Sequence, residues 1–158
     1  MTGTRAAAPP PRDEAHRLAA LRRLRLLDTP PHLAFDRLTR LAARVSGVPM
    51  AAIALLDRER NWFKSSIGMP VDEVPRDQAV CAFTVAQGSP VIVPDLYADR
   101  RFDGMLAGCC HSARFYAGVP VRSPDGACVG TLCLFDTKPR PDFGRDDQAN
   151  LRDIARLV

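Results

Sequence analysis

Five cysteines carry the most reactive side chains of this 158-residue sequence: Cys81, Cys109, Cys110, Cys128 and Cys133. A cysteine does nucleophilic or redox chemistry as a thiolate, which needs a cation, a helix N-terminus or a histidine beside it. Cys81 falls near the start of a short helical pattern, which could lower its pKa, but no histidine accompanies it in sequence. Cys109-Cys110-His111 sets three soft ligands side by side. Adjacent cysteines chelate one tetrahedral ion poorly, and no C-x-x-C partner lies elsewhere, so no metal site is expected. Small buried thiols filling core gaps account for Cys81, Cys128 and Cys133.

The polar candidates are Arg76, Asp77, Asp95, Asp99, Arg101 and Arg114. Arg114 could meet an anionic ligand, but an ion pair with Asp95 or Asp99 that fixes a loop is the expected use. Trp62, Phe83, Phe102, Phe115 and Tyr116 could together wall a cavity. Phe115 and Tyr116 are neighbours on a strand, so only one of them can face it. No G-x-G-x-x-G, Walker loop, G-x-S-x-G or H-E-x-x-H occurs, and His16, His32 and His111 are scattered. No catalytic residue is therefore expected, and the sequence names no cofactor.

Composition narrows the class further. Apolar residues make up 46% and charged residues 25%, the balance of a globular domain. No apolar run approaches the roughly 20 residues needed to span a bilayer. The net charge of +4 comes almost wholly from dispersed arginines, since only Lys64 and Lys138 are lysines. No basic stripe interleaved with aromatics exists, which argues against nucleic acid as a partner. The cysteine count is odd and no secretory signal is present, so reduced thiols in the cytoplasm are the default.

These residues need elements to position them. Asp13 caps a first helix on which Ala15, Leu18, Leu21, Leu24 and Leu27 recur. Thr29, with Pro30 behind it, is expected to cap a second helix that ends at Gly47. Met50 to Leu56 reads as a central strand and Trp62 to Ile67 as its hairpin partner. Gly68 to Pro75 reads as a loop, Ala79 to Gln87 as a short helix, and Val91-Ile92-Val93 as an edge strand before Pro94. Asp95 to His111 is a long, lid-like connection with a helical turn near Met105. Ala113 to Val121 and Cys128 to Phe135 form a hairpin through Asp125-Gly126. A last helix follows Phe143, and the chain stops inside it without a cap, which points to a longer polypeptide. Hairpins without parallel crossovers imply an antiparallel sheet and an α+β class. Residues 1–12 read as a disordered leader and 13–158 as a single domain.

Taken in order, several of these pieces resemble the GAF family, in the form found at the front of bacterial histidine kinases, diguanylate cyclases and phosphatases. The carrying residues are Leu27-Asp28-Thr29-Pro30-Pro31, Trp62-Phe63-Lys64-Ser65, Cys81-Ala82, Val93-Pro94-Asp95, Arg114-Phe115-Tyr116-Ala117-Gly118 and Gly130-Thr131-Leu132-Cys133. The resemblance implies a central antiparallel sheet of five to six strands with helices on both faces, of GAF/PAS-like form. The first, second and last helices would cover one face, and the short helix and lid would enclose a ligand cavity on the other. It implies a regulatory sensing and dimerisation domain in signal transduction, without catalysis of its own. A homodimer through the first and last helices, a small-molecule ligand and a C-terminal output module are the implied partners. The expected ligand-binding residues are Trp62, Cys81, Phe83, Asp95, Phe102, Arg114, Tyr116 and Cys133. Relatives often carry histidine where this chain has Phe83, so the cavity should be more apolar than usual. The alternatives are a thiol enzyme resembling free methionine sulfoxide reductase and a dimerisation module with a filled core.

Overall fold

Met50 to Leu56 contains no polar residue, and it forms β1, buried along its whole length. It pairs antiparallel with β2 (Arg60–Ile67) on one side and with β6 (Cys128–Asp136) on the other. β5 (Phe115–Arg122) joins β6, and β4 (Val91–Val93) joins β5 as an edge strand. The six-stranded order is β3-β2-β1-β6-β5-β4, antiparallel throughout. The expected antiparallel α+β architecture is therefore present. The structure, a computed structural model, describes residues 7–105 and 112–158. Cys109-Cys110-His111 lies outside those residues, as does the first half of the expected leader.

Two local readings need correction. The segment read as a loop before Pro75 contains β3 (Glu73–Pro75), a three-residue strand that pairs with β2. The second helix, α2 (Leu33–Ser46), starts after His32 and not after Thr29. The Thr29 hydroxyl is spent elsewhere. It donates to the Leu26 carbonyl and accepts from Lys64 Nζ at 2.6 Å, which pins the turn between helices onto β2. Gly47, at φ +64°, closes α2 in the left-handed conformation that glycine adopts without strain.

Strand alternation divides the core in two. Ala51, Ile53, Leu55, Phe115, Ala117 and Leu134 face α1 (Glu14–Leu24), α2 and α4 (Arg145–Arg156). Ala52, Ala54, Tyr116, Cys133 and Phe135 face the other way, beneath α3 (Cys81–Gln87) and the segment carrying Leu96, Phe102 and Met105. That segment forms two short 3-10 turns, Leu96–Ala98 and Arg100–Phe102, capped by Asp95 and Asp99. This second face is a closely packed layer under α3, the chamber in which the candidate site lies.

Gly118 sets the shape of the chamber floor. A Cβ there would sit 2.1 Å from the Tyr116 hydroxyl and 2.8 Å from Thr84 Oγ1. The tyrosine ring thus lies along its own strand, over the space that glycine leaves empty. Its hydroxyl shares a 2.7 Å hydrogen bond with Thr84 on α3, and Phe135 packs against the ring at 5.2 Å.

A buried charge clamp holds α1 to the start of the chamber. Arg17, only 3% exposed, donates twice to Glu14 at 2.8 Å and once to the Leu56 carbonyl at 2.7 Å. Arg76, just ahead of α3, donates to the same Glu14 carboxylate. Burial works against the charged Glu14, but the hydrogen bonds from Arg17 and Arg76 outweigh it and lower its pKa from 4.5 to about 2.

Two outcomes follow from this packing. Gly118→Ala overpacks the floor and should cost about 1–3 kcal/mol, read as a lower urea midpoint at unchanged slope. The Glu14 clamp contributes fully above pH 4.5 and is lost as the pH falls toward 2. Glu14→Gln should therefore remove about 1–2 kcal/mol at neutral pH, after allowance for solvent screening, and flatten the acid limb of a stability–pH profile.

Candidate functional site

The layer under α3 is mostly apolar, yet a cluster of polar side chains is packed within it. Cys81 opens α3, and Thr84, one turn on, lies on the same helical face. Thr131 and Cys133 alternate inward from β6, Tyr116 comes from β5, and Asn61 from β2. All six are buried, each with at most 2% of its surface exposed. Asn61 Oδ1 and Thr131 Oγ1 make no hydrogen bond of ordinary geometry among the described residues, although both side chains lie near the Cys81 thiol. A buried polar atom left unpaired costs about 1–3 kcal/mol, so this cluster is built at a loss if nothing else enters it.

The two thiols are reduced and lie in one buried cluster. Cys133 Sγ lies 3.5 Å from the Ala52 carbonyl oxygen. A hydrogen bond from Cys133, working against burial and helped by Thr131, Tyr116 and Asn61, brings the Cys81 thiol down to about 7. Burial pushes the Tyr116 hydroxyl far the other way, so it stays protonated and can donate. Cys128 is buried in a neighbouring apolar cluster, and burial raises its pKa.

Phe83 and Phe102 meet edge to face at 5.0 Å where α3 passes the second 3-10 turn. The turns are tied to the sheet by one bidentate ion pair. Arg114 Nε and Nη2 donate to the two oxygens of Asp95 at 2.8 and 2.6 Å, and the Arg114 carbonyl accepts from Leu96 N. Asp95 thus fixes the lid through Arg114, and Asp99 pairs with Arg101 instead. Arg114 also lies over the Tyr97 ring at 4.8 Å.

Of the eight expected ligand-binding residues, the structure brings Cys81, Phe102, Tyr116 and Cys133 into one buried cluster, with Phe83 packed against it. Asp95 and Arg114 hold the adjoining lid. Trp62 is on the wrong face: it packs with the α1, α2 and α4 core, beside Lys64 Nζ at 6.0 Å. The physical reason is strand parity, since Phe63 takes the chamber-facing position. Asn61, Thr84 and Thr131 were not expected. Thr131 carried a signal, a polar side chain in the otherwise apolar β6, whereas Asn61 sits in β2, whose mixed sequence marks no single residue out. Among the described residues no group of three or more His, Cys, Asp or Glu could hold a metal ion, and no helix is long and apolar enough to cross a membrane.

Known proteins are similar to this chain in sequence and in fold. The family model described as GAF domain matches residues 30–158. A cyclic di-GMP phosphodiesterase of Pseudomonas aeruginosa is 35% identical over 154 residues, covering 96% of this chain but 26% of that protein. The chain thus spans about a quarter of that relative's length. Among solved structures, the GAF domain of an Acinetobacter phosphoenolpyruvate-protein phosphotransferase superposes with a TM-score of 0.64 at 21% identity, covering 90% of each chain. A free methionine-R-sulfoxide reductase of Neisseria meningitidis, in complex with its substrate, gives 0.65 at 19% identity, covering 99% of this chain and 89% of that one. At such identities the structural likeness shows the fold alone.

The lid pair has its own readout. Arg114 hydrogen bonds hold the Asp95 carboxyl below its ordinary 3.8, against a small opposing effect of burial. Carbon-detected NMR titration should find Asp95 titrating below the usual aspartate range, and Arg114→Gln should return it to that range. The pair is made above the unfolded pKa and breaks as acid protonates Asp95.

Proposed function

The chain belongs to the GAF family, and we propose that it is the regulatory, small-molecule-sensing domain of a bacterial cytoplasmic signalling protein, without catalysis of its own. One observation carries the reading: Asn61 Oδ1 and Thr131 Oγ1 are buried without a hydrogen bond of ordinary geometry, in an otherwise apolar layer and near the Cys81 thiol. Such a nest favours a small ligand, apolar or aromatic in body, that carries one or two hydrogen-bond donors. Phe83 and Phe102 would pack its body, and Asp95 and Arg114 would hold the lid over it. A ligand with unequal affinity for two lid arrangements shifts their populations, which is the physical basis of a signal.

An output module is proposed, placed C-terminal to α4, and the matched region making up only 26% of the Pseudomonas relative supports there being further modules. The apolar stripes of α1 and α4, from which a homodimer was expected, are consumed by the chain's own core: Leu21 and Leu151 are fully buried. The dimer surface is instead proposed on α2, where Leu41 and Val45 stand 44% and 46% exposed one turn apart. Leu41→Glu should turn a dimer into a monomer in light scattering without lowering helix content.

The ligand reading is tested by native mass spectrometry of the gently purified chain, followed by a thermal-shift screen of small donor-bearing aromatics. We expect a co-purified mass or a stabilising hit that Thr131→Val abolishes while the unliganded melting temperature holds. No mass and no hit would favour a filled dimerisation module. A second reading, a thiol enzyme, rests on the lowered Cys81 pKa. A coupled assay on free methionine sulfoxide decides it, and we expect no turnover above a Cys81→Ser control.

A further inference from the structure

We propose that Cys81 and Cys133 form a redox site that a hydroperoxide converts reversibly into a disulfide, joining α3 to the centre of the sheet. The proposal stands on the placement of the two thiols and does not need a ligand in the chamber. Both are reduced and both belong to one buried cluster, where α3 packs directly on β6. They come from different elements, 52 positions apart in sequence (133 − 81), so the bond would cross-link the short helix to β6.

The surroundings divide labour between the sulfurs. Cys81 receives the hydrogen bond of Cys133 and lies beside Thr131, Tyr116 and Asn61, all of which favour its thiolate. A thiolate near neutral pH is the form that attacks peroxide. Cys128, also reduced, lacks such neighbours and is held protonated by burial. The cluster therefore distinguishes one thiol among similar ones, which simple gap filling does not require.

The chemistry balances. The Cys81 sulfur attacks one oxygen of the peroxide, the O–O bond breaks, and its electron pair leaves on the second oxygen. That oxygen takes the proton given up by Cys81 and departs as water, or as an alcohol from an organic hydroperoxide. Cys81 is now a sulfenic acid, oxidised by two electrons. Cys133 sulfur then attacks Cys81 sulfur, forms the S–S bond and expels hydroxide, which leaves as a second water with the Cys133 proton. A dithiol returns both residues to thiols by exchange. Neither thiol is exposed, since Cys81 is 2% and Cys133 0% accessible. The oxidant must enter by a local opening, so the reaction should be slower than that of an exposed thiol of equal pKa.

The test uses the full chain carrying Cys109→Ser and Cys110→Ser, treated with hydrogen peroxide under native conditions. After alkylation of the remaining thiols, peptide mass mapping reads the cross-link. The expected result is a loss of two hydrogens, a single linkage between the peptides of Cys81 and Cys133, alkylated Cys128, and full reversal by dithiothreitol. In a Cys133→Ser version, dimedone should trap the Cys81 sulfenic acid. Mapping of the chain that keeps both Cys81 and Cys133 carries the test even if the Cys133→Ser version folds poorly. Oxidation that falls equally on Cys128, a linkage that forms only after denaturation, or no linkage at peroxide levels that fully oxidise glutathione would each overturn the proposal.

Discussion

The 2.7 Å hydrogen bond between Tyr116 and Thr84 organises the chamber. A tyrosine on a central strand would ordinarily stand up from the sheet and fill the space above it. Here Gly118, two residues on and on the same face, lets the ring lie down. The hydroxyl then reaches α3 and ties it to the sheet. That tie, three residues from Cys81, brings the start of α3 against β6 and so brings the thiols together. Phe135 on the next strand supports the ring from the side. One missing side chain thus fixes one helix, and the helix fixes the polar cluster.

The sheet was legible because its central strands are extreme. Met50 to Leu56 has no polar residue, which only a strand covered on both faces tolerates. The Asp125-Gly126 turn announced the β5–β6 hairpin, with Gly126 at a positive φ. The misses share a physical cause. β3 is three residues long, too short for any period to be expressed. Thr29 has the chemistry of a helix cap, but Lys64, distant in sequence, claimed its oxygen. Trp62 was misplaced by one position, and on a strand one position reverses the face. Each miss turns on shortness, a tertiary partner or parity, none of which local pattern carries.

The site was half legible for a related reason. Sequence reading finds aromatic and thiol side chains by type, and five of those expected do gather at the chamber. It does not find Asn61, Thr84 and Thr131, because a single polar residue on a strand or helix looks like a surface position. Only the fold reveals that they point inward, and only the hydrogen-bond inventory reveals that two of them are unsatisfied. A domain selected for stability alone gains by replacing such atoms with methyl groups of the same shape. Two such atoms in a core otherwise packed with alanine, leucine and phenylalanine mark this layer out from an ordinary interior.

The Arg17–Glu14–Arg76 clamp bears on where this module begins. The family match starts at residue 30, after α1 has ended. Yet α1 supplies the carboxylate that gathers both guanidiniums, and Arg17 satisfies the carbonyl at the end of β1. A transplant cut at the edge of the family match would discard Glu14 and leave Arg76 without its anion beside the entrance to α3. Grafting this sensor onto another protein therefore requires a splice point ahead of Asp13, so that the helix travels as part of the machine and not as its linker.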